Sequence, residues 1–203
     1  AGSYVELTSA LSAVNITQDR TVELWVKVPS GVDGTAVNIA AASEGTGAVV
    51  RLSSGFVHWM NDSGSANWPT YDLKAPIPSY NTFFHVVCTL SSGLISRIFL
   101  NGTLAASRTL AATARAFVPT KAWLGGGPSN APSWVPIEAT IDEVAIYNYA
   151  LSAEQVAAHY REGINPTRRP VPRIEIAFAS NPLATPAWTD VSPYVRAFSI
   201  RRG

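Results

Sequence analysis

The clearest pattern in the chain is a strict alternation in TVELWVKV, residues 21–28. Val22, Leu24, Val26 and Val28 fall on one side, and Thr21, Glu23, Trp25 and Lys27 on the other. Period two with one apolar side predicts a half-buried antiparallel strand. Shorter strands are predicted at AVNIAAA (36–42), AVVRLS (48–53) and FVHWM (56–60), separated by Gly and Ser turns. A long polar and aromatic loop is expected over 61–81. FFHVVCTL (83–90) and ISRIFLNGTLAAS (95–107) predict a strand and then a hairpin. Its Asn101-Gly102 pair suits a type I′ turn, in which both central residues need positive φ. AFVPTKAWLGG (116–126) and IEATIDEVAIYN (137–148) complete the series.

The period changes once, at SAEQVAAHYREG (152–163), where Val156 and Tyr160 share a stripe and Leu151 stands just ahead. Ser152 is the expected N-cap, with Gln155 as its capping-box partner and Gly163 as the stop. In TIDEVAIY (140–147), Ile141 is on odd parity while Val144 and Ile146 are on even parity. All three can face a core only if the strand is irregular between them. That predicts a β-bulge at Asp142-Glu143, with Glu143 facing solvent. Many short strands with one helix predict an all-β, two-sheet antiparallel sandwich.

NPTRRPVP (165–172) holds three prolines, which remove donors and fix φ, so it reads as a stiff linker. The expected organisation is a first domain over 1–163, a Pro/Arg linker over 164–172 and the start of a second β-rich domain over 173–203. In the last part, RIEIAFAS (173–180) and YVRAFSIRRG (194–203) are the strand candidates. So short a segment cannot bury an independent core, and a chain that starts at Ala1 is expected to be a piece of something longer. Charge changes at the same place. Residues 1–163 hold nine Lys/Arg against twelve Asp/Glu, and residues 164–203 hold six Arg against two acids, which together return the chain's +1.

Composition narrows the partners. Charged residues are 14% and apolar residues 47%, with mean hydropathy +0.12, which suits a large buried core rather than disorder. No apolar run reaches the ~18 residues that span a bilayer, and the late arginines lack interleaved aromatics or a nucleic-acid motif. Neither a membrane nor a nucleic acid is an expected partner. The single cysteine, Cys88, excludes an intrachain disulfide and a cysteine zinc site, and reads as a buried inert thiol.

Residues 1–163 resemble the laminin-G-like, concanavalin A-like jelly-roll domains. The residues that carry this are YVEL (4–7), TVELWVKV (21–28), FHVVCTL followed by IFLNGTL (84–104), and IDEVAIYNYALSAEQVAAHYREG (141–163), in that order. The resemblance implies a jelly roll, a fold that hosts lectins, glycanases and adhesive modules alike. It also implies a structural Ca²⁺ held by Asp142 and N-terminal backbone oxygens, donors of the kind such an ion takes. The alternative is that Asp142 caps a turn or pairs with an arginine, with no ion. The tail is similar to a segment in minor tail proteins of actinobacterial phages, through Trp188, Thr189, Asp190, Val191, Ser192, Pro193, Tyr194, Val195 and Arg196, then Ile200 to Gly203. That likeness implies a virion tail outside the cell, contacts with other tail proteins through the C-terminal segment, and a homo-oligomer in the virion.

Catalysis finds little support in the residues. Glycanases of this fold carry an E-x-D-x-x-E strand, because a retaining pair needs its carboxyls ~5 Å apart. Here the closest cluster, Glu138, Asp142 and Glu143, has E-x-x-x-D-E order, and its last two members point to opposite faces. His58, His85 and His159 each stand outside any nucleophile motif, and His85 reads as structural. Sugar binding is better served. Flat aromatics stack on a sugar's C–H face while amides and carboxylates meet its hydroxyls. Loop 61–81 supplies Asn61, Asp62, Asn67, Trp68, Tyr71 and Asp72, and loop 124–136 supplies Asn130 and Trp134. Trp59, Trp68 and Trp134 would line one edge or the concave sheet, whereas Trp25 and Trp123, in regular strands, read as core. The expected site is Trp59, Asn61, Asp62, Trp68, Tyr71, Asn130 and Trp134, in a non-catalytic module that takes the cell-surface carbohydrate of a bacterial host. A structural spacer between tail subunits and a secreted glycan-active enzyme are the competing readings.

Overall fold

Alternating sequence resolves into two stacked antiparallel sheets in the computed structural model, which describes residues 4–7, 19–40, 46–63, 72–110, 119–126, 135–165, 174–176 and 195–197. In chain order the elements are β1 (Val5–Leu7), β2 (Arg20–Lys27), β3 (Gly34–Ala40), β4 (Thr46–Ser53), β5 (Phe56–Ser63), β6 (Asp72–Pro76) and β7 (Phe84–Leu90). There follow β8 (Ile95–Leu100), β9 (Thr103–Thr109), β10 (Lys121–Leu124), β11 (Thr140–Tyr147), helix α1 (Ala153–Gly163), β12 (Ile174–Ile176) and β13 (Val195–Ala197). One sheet has six strands in the order β1-β10-β3-β4-β5-β6, and the other five in the order β11-β2-β7-β8-β9. The result is the expected all-β jelly-roll sandwich with one short helix among the described residues. The short strands β12 and β13 pair antiparallel with each other.

The core fills the space between the sheets. Val22, Leu24, Val26, Phe84, Val86, Cys88, Ile98, Val144 and Ile146 come from the five-stranded side. Val37, Ile39, Val50, Leu52, Val57, Trp59, Ala75 and Leu124 meet them from the six-stranded side. Interdigitated aliphatic side chains of this kind supply the main stabilisation, at roughly 25 cal/mol per Å² of apolar surface removed from water. Cys88 is a buried free thiol, and burial pushes its pKa far above the ordinary thiol range, so it stays protonated and inert.

Several local expectations hold for stated reasons. Asn101 and Gly102 have φ of 50° and 78°, as a type I′ turn requires. Pairing of β11 with β2 shifts register between Asp142 and Ala145, and Glu143 has φ 48°, which places a bulge where the parity breaks. Glu143 is exposed. Ser152 caps α1, with both halves of the capping box formed through Gln155.

Three expectations change. Residues 72–76, read as loop, form the edge strand β6, which alternates by burying Leu73 and Ala75 while Lys74 and Pro76 face out. Proline is tolerated there because an edge strand has backbone donors with no ladder partner to lose. Gly163 does not stop the helix but is its last residue, and the cap is Ile164 in a right-handed conformation. A Cβ at position 163 would collide with the Trp25 indole, so the glycine permits close approach rather than an unusual φ. Finally, β2 is buried on both faces, not one, because α1 and the tyrosines of the β11–α1 region cover the side that carries Thr21, Glu23 and Trp25.

Candidate functional site

Strand register places one row of residues straight across the outer face of the six-stranded sheet, away from the core. Glu6 pairs with Trp123, Trp123 with Asn38, Asn38 with Val49, Val49 with Met60, and Met60 with Asp72. Asn38 and Trp123 sit side by side at the middle of this row, 1% and 4% exposed, with Ala40 packed on the indole. Neither the Oδ1 nor the Nδ2 of Asn38 has a hydrogen-bond partner. Buried amides are normally satisfied, and one left without partners costs about 1–3 kcal/mol. An aromatic ring beside an unsatisfied amide is the pairing that sugar recognition uses.

Polar and charged groups ring that centre. Arg51, one step along β4, makes a 2.6 Å ion pair with Asp33. His58 faces Asp72, with Nδ1 2.9 Å from Oδ2, and its ring lies edge-on to Phe56. Lys74 stands 5.0 Å from the Phe56 ring centroid. At the other side Lys121 lies 4.0 Å from Glu6 and 6.0 Å from the Trp123 ring centroid.

The predicted binding residues fare differently. Trp59 is 0% exposed in the inter-sheet core and donates from Nε1 to the Thr89 carbonyl at 3.1 Å, so it lines neither the edge nor a concave face. Asn61 is also 0% exposed and points inward, where Arg20 Nε donates to its Oδ1 at 3.0 Å. Burial lowers the Arg20 pKa to about 10, against an opposing influence from Asp19. Both residues share the inward parity of Val57 on β5, which a period-two reading of FVHWM extended by one residue would have shown. Asp62 occupies the register position opposite Gly47 on β5. Trp68, Tyr71, Asn130 and Trp134 lie outside the described residues. The strands that lead into their segments end at opposite ends of the sheet, since β5 and β10 run in opposite directions. Trp123, read as core, is indeed buried but on the outer face. Asn38 went unnoticed, although a lone amide within the apolar run AVNIAAA is the signal that could have found it.

A second polar cluster lies on the outer face of the five-stranded sheet, under α1. Glu23, 5% exposed, receives hydrogen bonds from His85 Nε2 at 2.7 Å, His159 Nδ1 at 3.0 Å and the Tyr147 hydroxyl at 2.9 Å. Burial alone would raise the Glu23 pKa, but the two histidines overcome it and bring it down to about 2. For His159, burial pulls the pKa down and Glu23 pulls it up more strongly, so it ends above its ordinary value. Burial and the neighbouring carboxylate push the Tyr147 phenol up. Trp25 stacks on His85 at 5.0 Å and on Tyr160 at 5.8 Å, which seals the cluster. In space, therefore, neither His85 nor His159 stands alone: the pair shares one carboxylate and ties α1 to the sheet.

At the bulge, Asp142 Oδ1 accepts the Glu143 backbone N–H at 2.9 Å. Among the described residues no group of three or more His, Cys, Asp or Glu side chains comes together.

Comparison with known proteins fits this architecture. Residues 1–157 match the laminin-G-type model described as the concanavalin A-like lectin/glucanases superfamily. The chain belongs to this superfamily. No curated protein matches the sequence significantly. The concanavalin A-like domain superposes on the CBM40 of a Ruminococcus gnavus IT-sialidase bound to α2,3-sialyllactose, with TM-score 0.60 and 16% identity, covering 78% of this chain and 92% of that one. It also superposes on the binding domain of botulinum neurotoxin serotype G, with TM-score 0.61, 14% identity and 78% of this chain, but spans only 40% of that chain's length. A heptameric SAP-like pentraxin from Limulus polyphemus gives TM-score 0.54 at 13% identity, covering 70% and 69%. At such identities the likeness concerns the fold.

Proposed function

We propose that the domain is a non-catalytic glycan-binding module that takes its ligand on the outer face of the six-stranded sheet. The Trp123 ring stacks on a sugar, and the Asn38 amide gives and receives hydrogen bonds with its hydroxyls. One observation carries this: a buried amide with neither atom partnered, next to an indole in the same cross-strand row. Both side chains are closed off in the free chain, so binding is coupled to opening of the face. The sialyllactose held by the CBM40 neighbour supports a sugar as the kind of ligand. Trp68, Tyr71, Asn130 and Trp134 stay in the proposal as further sugar ligands on the strength of their residue types alone, and the reading routes nothing through a metal. The sealed, fully engaged state of Glu23 supports a non-catalytic role, since a carboxylate under a helix reaches no substrate.

The likeness of Trp188–Arg196 and Ile200–Gly203 to phage minor tail proteins supports a place on the virion. There, repeated copies would strengthen a weak host-glycan contact through avidity. A glycan array and a host cell-wall pull-down with the wild type, Asn38→Leu, Trp68→Ala and Trp134→Ala test the reading. Wild-type binding that Asn38→Leu abolishes supports it. Absence of any wild-type binding favours the structural-spacer alternative, and turnover of an oligosaccharide overturns the non-catalytic assignment.

A further inference from the structure

Two histidines share one carboxylate beneath α1, and a single imidazolium is enough to balance it. We propose that the contact between Glu23 and His159 is a pH-dependent latch. One proton on His159 keeps α1 docked, and its loss releases the helix while the sandwich stays folded.

Geometry places the proton. Glu23 Oε1 lies 2.7 Å from His85 Nε2, while His159 Nδ1 reaches both carboxylate oxygens, at 3.1 and 3.0 Å. Of the two rings, only His85 has a second nitrogen, Nδ1, that is buried without a hydrogen-bond partner. A proton there would make a charged donor with nothing to accept it, which costs more than a bare lone pair. His85 is therefore the neutral Nε2–H tautomer, and the imidazolium is His159. Burial pulls the His159 pKa down and Glu23 pulls it up more strongly, so the charged ring persists above its ordinary range. The other groups on this face offer no substitute. Tyr147 on β11 donates its hydroxyl to Glu23, and Tyr149 packs edge-on against Tyr147. Asp142 lies in the Trp25 row and Arg97 in the Thr21–Thr89 row, so neither is opposite Glu23. Lys27 is directed at Phe83, and Glu154, Arg161 and Glu162 of α1 are exposed. A neutral His159 thus leaves a buried carboxylate without its charge partner.

The helix, not the sandwich, is the part this proton controls. With 11 residues, α1 is too short to persist in water by itself. Its buried side chains are Val156 and His159, and Tyr160 adds a ring stacked on Trp25 at 5.8 Å and pressed against Gly102. The main core between the sheets includes no residue of α1. Loss of the ion pair therefore removes one of the helix's three attachments and none from the core, which is the condition for local opening. Release uncovers Trp25, His85 and Tyr147, each buried while α1 is docked.

Backbone amide exchange of the full chain from about pH 6 to about pH 10 tests this, with rates corrected for the intrinsic effect of pH. The α1 amides should lose protection by about tenfold or more and approach the unfolded rate, while β7 amides stay strongly protected. In His159→Gln the helix should be weakly protected and indifferent to pH. Ring-nitrogen NMR of the wild type at about pH 6 should show His159 protonated on both nitrogens and His85 on Nε2 alone. Helix protection as high at the alkaline end as at the acid end overturns the latch, as does α1 exchange that occurs only together with β7. A charged His85 beside a neutral His159 overturns it equally. Should His159→Gln fail to fold, the wild-type exchange profile and ring-nitrogen spectrum decide the question without it.

Discussion

Both sheets bury polar chemistry on the face turned away from the core, and they do so in opposite ways. Beneath α1, the Glu23 carboxylate has His85, His159 and Tyr147 donating to it. Across the molecule, Asn38 is just as deeply buried and has no partner for either amide atom. The first arrangement repays the cost of burying a charge by hydrogen bonding it, and its product is a fixed helix. The second leaves a cost in place that folding alone does not explain. His85 Nδ1 is also without a partner, but its ring belongs to a three-ring cluster with Trp25 and Tyr160. The hydrogen-bonded Glu23 carboxylate reads as architecture, and the Asn38 amide, with neither atom partnered beside an indole, reads as a site.

The largest way to break this contrast is Glu23→Ala, which strands two histidines and a tyrosine under the helix. Loss of one partner from a buried ionic cluster costs about 3–5 kcal/mol, so urea unfolding should show a domain that is barely folded. Loss below 1 kcal/mol would mean that the cluster does not hold α1. Next comes pH. Glu23 has its folded pKa lowered from 4.5 to about 2, so its contribution is present above 4.5 and lost as pH falls towards 2. His159 is raised above 6.5, so its contribution is full below 6.5 and lost as pH rises through the folded value. Thermal midpoints should therefore peak between about pH 4.5 and 6.5 and fall on both sides, and the alkaline fall should vanish in His159→Gln. A flat alkaline limb in the wild type would contradict the His159–Glu23 assignment. A smaller effect is expected at the bulge, where Glu143 holds a left-handed conformation that glycine adopts without strain. Glu143→Gly should stabilise by up to about 1 kcal/mol, and a clear destabilisation would show that the Glu143 side chain does more than face solvent.

Much of the fold was legible because its signals are local. Period two in TVELWVKV, Asn101-Gly102 in a hairpin, the capping box from Ser152 to Gln155 and the parity break before Val144 each depend only on near neighbours in sequence. Residues whose roles depend on distant partners were not legible. Glu23 reads as a solvent-facing strand residue until α1 brings His159 to it across 136 positions. Asn61 reads as a loop residue only if β5 ends at Met60, whereas the strand continues to Ser63 and turns it inward; Trp59 lies within the expected strand, where its parity with Val57 directs it into the core. Strand β6 is masked in the sequence by its terminal proline, Pro76, and Asn38 by its apolar neighbours.

The most direct test of the central claim sits at Asn38, where the expected change in stability is the smallest and the change in function the largest. Asn38→Leu removes an unsatisfied buried amide and keeps the strand and its size, so the thermal midpoint should stay level or rise. Glycan binding by the same preparation should disappear. A lower midpoint with binding retained would show that Asn38 is structural and that the outer face of the six-stranded sheet is not the site.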